Sequence, residues 1–295
     1  MDCPLGCGPL VCDETPLRDN RLGLPHVVHV GWCPVCGLGV TLDPPPREEL
    51  ARLYEQTYVR DEERRVPRTS GLARVWHAVN GSLPLTDLVR EGPVLDVGAN
   101  TGEALVALRS RGLEVAGLEP NPAAAAVARG YGLEVIEATI EEAELPEGRF
   151  ASVLLSQVLE HVEDPHLVLR KAHETLRPGG IVFIVVPNAA SVWRRAFGRH
   201  WVHWHVPFHL HHFTERALSK LCAQSGLELR HTANVTSGEW LLQSLVAWRN
   251  ARRGRFELEP FARRYGRRLL VAPAGRLGDA FARGDAIVAQ ATRSR

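Results

Sequence analysis

The chain has 295 residues, 45% of them apolar, and a formal net charge of +1 from 35 basic and 34 acidic side chains. That composition suits a globular chain able to bury a core of domain size, and it argues against a partner recruited by global charge, whether nucleic acid or an anionic membrane. Apolar runs such as 181–186 fall far short of the ~20 residues of a membrane span, and Met1 leads into a Cys/Gly/Pro segment rather than a basic start followed by an apolar stretch, so no membrane span, no secretion signal and a cytoplasmic location are expected.

The first element is a cysteine module. Five of the six cysteines fall within the first 36 residues, as Cys3, Cys7, Cys12 and the pair Cys33-Pro-Val-Cys36-Gly. In a reducing compartment such clusters more often bind metal than form disulfides. A C-P-x-C-G turn presents two thiolates and aims backbone N–H groups at the sulfurs, and two such knuckles complete a tetrahedral zinc site. The spacing therefore predicts a zinc-ribbon-like module over 1–45 with Cys3, Cys7, Cys33 and Cys36 as ligands. The first knuckle carries one extra residue, which leaves Cys12 competing with Cys7. The metal's part there is structural, because so short a segment with few large apolar side chains cannot bury a stable core unaided. Prolines at 44–46 open a stretch, 46–92, read as linker and lid helices, with helical patterns near 47–58 and 70–90.

From residue 93 onward strand and helix patterns alternate. Strands are expected at 93–98, 114–119, 133–137, 151–156, 181–186, 227–233 and 285–292, with helices between them. That order predicts an α/β fold with a doubly wound, mostly parallel seven-stranded, Rossmann-like sheet over 93–295. Asn121-Pro122 reads as a cap with proline in the first turn of an Ala-rich helix, and Thr214 as the cap of a helix running to Gly226. Between about 236 and 284 the pattern is a helical insertion, with Trp240, Leu241, Leu242, Leu245 and Trp248 on a helical period, packed on the domain or on a dimer mate. The Arg-rich piece 249–268 reads as a solvated face.

Within this order, residues 93–103 (Pro-Val-Leu-Asp-Val-Gly-Ala-Asn-Thr-Gly-Glu) are the most telling. An apolar strand ends in two glycines, Gly98 and Gly102, which let the backbone turn sharply and approach a ligand, and the following helix start offers N–H groups to an anionic group. The spacing is G-x-x-x-G, without the extra glycine that admits a pyrophosphate. Glu119 closes the next apolar run, near the spacing of ~20 residues at which a carboxylate accepts hydrogen bonds from ribose hydroxyls. Together these features predict an adenosine site.

With Gly117-Leu-Glu-Pro-Asn-Pro122, Ser156-Gln-Val-Leu-Glu-His-Val162, Asp164-Pro165, Leu176-Arg-Pro-Gly-Gly180 and Pro207-Phe-His-Leu-His-His-Phe-Thr214, the chain resembles the class I S-adenosylmethionine-dependent methyltransferases over roughly 70–293. The resemblance implies cofactor contacts from Asp96, Gly98, Ala99, Asn100 and Gly102, from Glu119 and Pro120 at the ribose, and from Thr139, Ile140, Ser156 and Gln157. Short zinc modules similar to this one precede some methyltransferases of sugars and natural products. The expected acceptor is thus a small molecule (a sugar, a lipid-like compound or a secondary metabolite) methylated on O, N or C, by a monomer or homodimer. Two other readings are an RNA methyltransferase whose zinc module and arginine tail contact phosphates, and a module that binds the cofactor without turnover. The near-neutral charge and the lack of an aromatic stacking platform stand against nucleic acid.

Two clusters are candidates for the acceptor side. Gln157, Glu160 and His161 resemble the E-x-x-E-H of ubiquinone-biosynthesis O-methyltransferases and small-RNA 2'-O-methyltransferases, which binds a divalent metal. Gln157 replaces the first Glu here, so the turn is read either as a divalent-metal site at Glu160 and His161 or as a structural turn beside the cofactor. The second cluster, 200–212, packs six histidines and two tryptophans into a loop after the fifth predicted strand, as suits an aromatic-walled small-molecule pocket. His209 is the leading general base, with His161 and His212 as the other catalytic candidates.

Overall fold

In the computed structural model, which describes residues 1–58, 85–255, 268–281 and 283–293, the amino-terminal segment forms β1 (Val11–Arg18), β2 (Val27–Trp32) and β3 (Gly39–Thr41), followed by α1 (Arg47–Tyr58). The alternating region then supplies β4 (Val94–Val97), α2 (Glu103–Arg109), β5 (Val115–Leu118), α3 (Pro122–Gly130), β6 (Val135–Ile136), β7 (Phe150–Ser156), α4 (Pro165–Thr175) and β8 (Leu176–Pro187). After it come α5 (Val192–Phe197), β9 (His211–His212), α6 (Glu215–Gln224), β10 (Leu227–Val235), α7 (Gly238–Ala251), α8 (Arg268–Ala280) and β11 (Ala286–Arg293). All seven strands predicted from residue 93 onward are present. The helical patterns at 70–84 and 256–267 lie outside the described residues, and 85–87 form a single 3-10 turn.

The large sheet has the order β10-β11-β8-β7-β4-β5-β6. It is parallel from β6 to β8, and β11 runs antiparallel to both β8 and β10. Strands covered on both faces must be apolar nearly throughout: all four residues of β4 are buried, as are Phe150 to Leu155 of β7. Side chains from these strands, among them Leu95, Val97, Leu118, Phe150, Val153, Leu155, Ile184 and Ile287, fuse with the helices into one core. The predicted caps are made: Asn121 Oδ1 accepts from Ala123 N–H at 3.0 Å and Thr214 Oγ1 from Ala217 N–H at 3.2 Å.

The smaller sheet is completed by the catalytic part of the chain. Its order is β1-β2-β3-β9, with Gly39 opposite His212 and Val40 opposite His211. Gly39 permits this closure, since a Cβ there would come within 2.6 Å of the Trp32 ring and 3.0 Å of His212 Cβ. Leu5, Cys33, Cys36, Leu38 and Val40 share the main core with Phe213, Leu218 and Leu221. The sheet that begins in the first 45 residues thus extends to residue 212, a pairing that local sequence patterns do not encode. Helix α7 packs on the turn before β9: Ser244 Oγ accepts from Val202 N–H at 3.0 Å and Trp240 stacks edge-on with His203 at 4.6 Å. No helix among the described residues is long and apolar enough to cross a membrane.

Candidate functional site

The carboxyl ends of the central parallel strands gather the predicted cofactor residues. Asp96 in β4 lies in register with Gly117 of β5 and Leu154 of β7. Beyond it the chain turns through Gly98 at φ +72°, Asn100 at φ +48° and Gly102 at φ +83°. The two glycines do different jobs. A Cβ at Gly102 would lie 2.4 Å from Leu133 Cδ1, so this position packs α2 against the 131–133 turn. Among the described residues a Cβ at Gly98 would meet Val158 Cγ2 alone, at 3.3 Å. Gly98 is exposed, and its missing side chain lets a ligand approach the backbone closely.

Glu119 sits just past β5 and bridges two loops. Its Oε2 accepts from Asn100 N–H at 2.7 Å and its Oε1 from Asn121 N–H at 2.8 Å, so the carboxylate holds the glycine loop to the start of α3. Burial pushes its pKa up against those bonds. Asp96, buried and beside the Glu119 charge, is raised to about 7. Two carboxyls that ionise reluctantly at one strand edge suit a ligand that brings positive charge and hydroxyl donors. Pro120 lies exposed beyond Glu119, Ile140 is buried after β6 next to half-buried Thr139, and Ser156 ends β7 with Gln157 following it. Gln157 adopts φ +57°, and its N–H donates to Val185 O at 2.8 Å.

On the acceptor side, the turn after β7 is laced to the histidine segment. Leu210 N–H and His211 N–H both donate to Glu160 O, at 2.7 and 3.1 Å. Nδ1 of His161 is 3.2 Å from Phe208 O, and Nδ1 of His209 is 2.9 Å from His203 O. Carbonyl oxygens only accept, so both Nδ1 atoms carry the proton and each Nε2 keeps its lone pair. Sequence reading placed this stretch in a loop that walls a small-molecule pocket. In the structure 201–209 are buried throughout, with a 3-10 turn at Val202–Trp204.

Burial sets the charge of these rings. His161 is lowered to about 4 and His203 to about 3 by desolvation, and His205 and His209 lie well below the ordinary histidine range for the same reason, with neighbouring imidazoles adding to it. All are neutral at pH 7, and their low basicity makes them weak proton acceptors. Glu160 is raised to about 8 by burial, and neither side-chain oxygen has a hydrogen-bond partner among the described residues. His212 has a different setting: its ring packs on Trp204 at 5.1 Å and Trp32 at 6.3 Å, and its Nε2 lies 3.2 Å from Thr41 Oγ1, which donates to His209 O at 2.7 Å. His205, which no local motif singled out, stands with His161 and His209: the three ligand atoms lie within 4.8 Å of one another. The available signal was its i, i+4 spacing to His209.

At the amino terminus Cys3, Cys7, Cys33 and Cys36 bring four sulfurs within 4.8 Å of one another, while Cys12 is exposed on β1 and outside the group. Cys3 Sγ to Cys36 Sγ is 3.6 Å, against about 3.8 Å for two thiolates on one tetrahedral zinc. Cys36 N–H points at Cys33 Sγ at 3.4 Å, and Lys220 Nζ of α6 reaches Cys7 Sγ at 3.0 Å. The donor set fits a structural zinc.

A doubly wound sheet with β11 reversed next to β8, a glycine turn after the central strand and an acid after its neighbour define a Rossmann-like methyltransferase fold. Residues 69–232, over half of the chain, match the family model described as Methyltransferase domain. The chain belongs to the class I S-adenosylmethionine-dependent methyltransferases. It is 38% identical over 102 residues to a ubiquinone biosynthesis O-methyltransferase of Pseudomonas paraeruginosa, a stretch covering 32% of this chain and 44% of that one. It is 28% identical over 156 residues to the Leptothrix cholodnii protein of the same name, covering 48% and 66%. The chain therefore spans under half to about two thirds of the length of these curated relatives. Among solved structures, a Thermotoga maritima S-adenosylmethionine-dependent methyltransferase superposes with a TM-score of 0.53 at 18% identity, covering 83% of this chain and all of that one. The Burkholderia thailandensis 1,6-didemethyltoxoflavin N1-methyltransferase, solved with S-adenosylhomocysteine, gives 0.51 at 16% identity and covers 91% and 96%. At those identities the likeness is one of fold.

Proposed function

We propose that this chain transfers the methyl group of S-adenosylmethionine to a small-molecule acceptor, with a hydroxyl oxygen as the leading target. The observation that carries the reading is the convergence, at the carboxyl ends of β4, β5 and β7, of Asp96, the open Gly98 turn, Glu119 and the 156–161 turn, with the buried histidine strip alongside. The relationship to ubiquinone biosynthesis O-methyltransferases supports oxygen as the acceptor atom.

In this reading Asp96 and Glu119 face the donor's cationic and ribose parts, Ala99, Asn100, Gly102, Pro120, Thr139 and Ile140 line its pocket, and Ser156 and Gln157 close it. The bound cofactor supplies an activated sulfonium methyl. The chain's own work is to hold the acceptor in line with that methyl and to exclude water, a proximity effect worth up to about 7–11 kcal/mol. His161 and His209 line the acceptor side as neutral imidazoles, and His212 ties the segment to β3 through Thr41. We further propose that the four cysteines hold a structural zinc, that the chain acts as a monomer or homodimer, and that it works in the cytoplasm, where unpaired thiols persist. The test is incubation with labelled cofactor and candidate phenols, sugars and amines: products gaining one methyl group in mass support the reading, and cofactor binding with no transfer to any class overturns it in favour of a non-catalytic binding module.

A further inference from the structure

Three buried or half-buried imidazoles that bring a ring nitrogen each within 4.8 Å of the others are a candidate ligand set. His161 follows β7, while His205 and His209 sit one helical spacing apart on the segment before β9. Their rings stand at 4.6 Å (His161 to His209), 4.9 Å (His205 to His209) and 6.1 Å (His161 to His205) between centroids. Three imidazoles sharing one tetrahedral ion, at about 2.0–2.1 Å per bond, place their nitrogens about 3.3–3.4 Å apart. Here the three ligand atoms already lie within 4.8 Å of one another, so side-chain rotations of about an ångström close the set.

The surroundings favour ligation over a plain hydrogen-bonded cluster. A metal-bound histidine characteristically donates its other N–H to a carbonyl or carboxylate, which fixes ring and tautomer. His161 does this to Phe208 O and His209 to His203 O. His205 is held at φ +39° and ψ +40°, a left-handed conformation unfavourable for a non-glycine residue that persists where the surrounding structure over-determines it. Phe208 N–H and His209 N–H both close on His205 O, at 3.0 and 3.2 Å, and keep the turn in that shape. Tyr54 of α1 stacks edge-on over His161 at 5.9 Å and Phe208 at 5.4 Å. His205 and His209 are each 3% exposed whereas His161 is half-buried, so among the described residues the group is least covered on the His161 side.

We infer that His161, His205 and His209 bind a divalent ion of the zinc type, distinct from the cysteine site, and leave a coordination position open to an oxygen of the acceptor. Imidazole donors suit zinc, iron(II), cobalt(II) and nickel(II) rather than the all-oxygen ions magnesium and calcium. The site moves the expected divalent centre from the Glu160/His161 pair to one with no carboxylate. Its role toward the acceptor rests on the methyltransferase reading above. An acceptor hydroxyl bound there would release its proton to solvent more readily. Its oxygen then forms the new bond to the methyl carbon while the carbon–sulfur bond breaks toward sulfur.

Cobalt(II) titration of the full chain after chelator treatment, followed by absorption spectroscopy, tests the assignment. The wild type should take up two equivalents, one with intense thiolate-to-cobalt charge transfer and one with weak d–d bands alone. His205→Asn, chosen because asparagine tolerates a left-handed backbone, and His209→Asn should each lose the second equivalent and keep the first, which also reports that the fold is intact. Uptake of a single equivalent with thiolate character by the wild type would overturn the proposal, and so would a second equivalent that survives both substitutions. Calorimetric titration with S-adenosylmethionine on the same preparations separates the two readings: intact cofactor binding with no second cobalt refutes only the histidine site, whereas failed cofactor binding refutes the methyltransferase assignment and leaves the cobalt result standing.

Discussion

Replacing Asp96 by asparagine should abolish a pH dependence of stability whose size follows from burial. The Asp96 carboxyl ionises near pH 7 in the folded chain and near pH 3.9 when unfolded. A folded-state pKa above the unfolded one means that the contribution is complete below about pH 4 and is lost as pH rises through about 7. About three pKa units at 1.36 kcal/mol each give a total of about 4 kcal/mol, of which about 3 kcal/mol falls between pH 5 and 8. Asp285 and Glu160, raised to about 6 and 8, slope the same way but are present in both proteins and cancel in the difference. Urea unfolding followed through the seven tryptophans at pH 5, 6, 7 and 8 gives the comparison directly. The stability of wild type minus that of Asp96→Asn should fall by about 3 kcal/mol over this range. Parallel profiles would show that Asp96 is ionised throughout and that the cofactor edge is far better solvated than its geometry implies. With the positively charged donor bound, the Asp96 pKa should drop, so cofactor titrations in two buffers of different ionisation enthalpy should report proton release near pH 7 from the wild type and none from the variant.

Gly98→Ala and Gly102→Ala should separate binding from folding. The first costs about 1–2 kcal/mol for the left-handed backbone and weakens cofactor affinity at least tenfold; the second adds overpacking against Leu133, for a total of about 2–5 kcal/mol, and should show mainly as a lower melting temperature. Equal effects on both readouts at both glycines would contradict the division. Thr41→Val removes the hydroxyl that donates to His209 O and meets His212, and should cost about 1–3 kcal/mol while reducing turnover more than cofactor affinity; unchanged turnover would leave the tie without a function. Stripping metal from the four cysteines should lower the melting temperature by several degrees and restoring zinc should recover it, whereas indifference to chelator in differential scanning calorimetry would argue that the thiols are unligated.

The strands and the glycine turn were legible because both are local: a buried parallel strand must be apolar along its length, and a sharp turn toward a ligand needs glycine. Cys12 and Cys7 could not be separated by spacing, since the choice depends on where β1 carries Cys12, out to solvent. Glu119 was placed at the end of its strand, but its grip on Asn100 and Asn121 arises only when two loops meet. The histidine strip was legible in composition but not in its packing. Six histidines among aromatic residues read as a loop walling a pocket, and its burial comes from distant elements: β3 captures His211 and His212, and α7 packs on Val202 and His203. His205 acquires its neighbours through that same folding, which no linear motif announces.

The capture of β9 by the amino-terminal sheet bears on how the chain can be divided. An expression fragment beginning after Pro46 would strip β9 of its only bonded neighbour in that sheet and bare the apolar faces of Phe213, Leu218 and Leu221. It would also free the peptide carbonyl of His209 from the hydroxyl that steadies it. Trimming the thiolate knuckles as a dispensable tag would therefore damage the far side of the molecule, where the imidazoles stand.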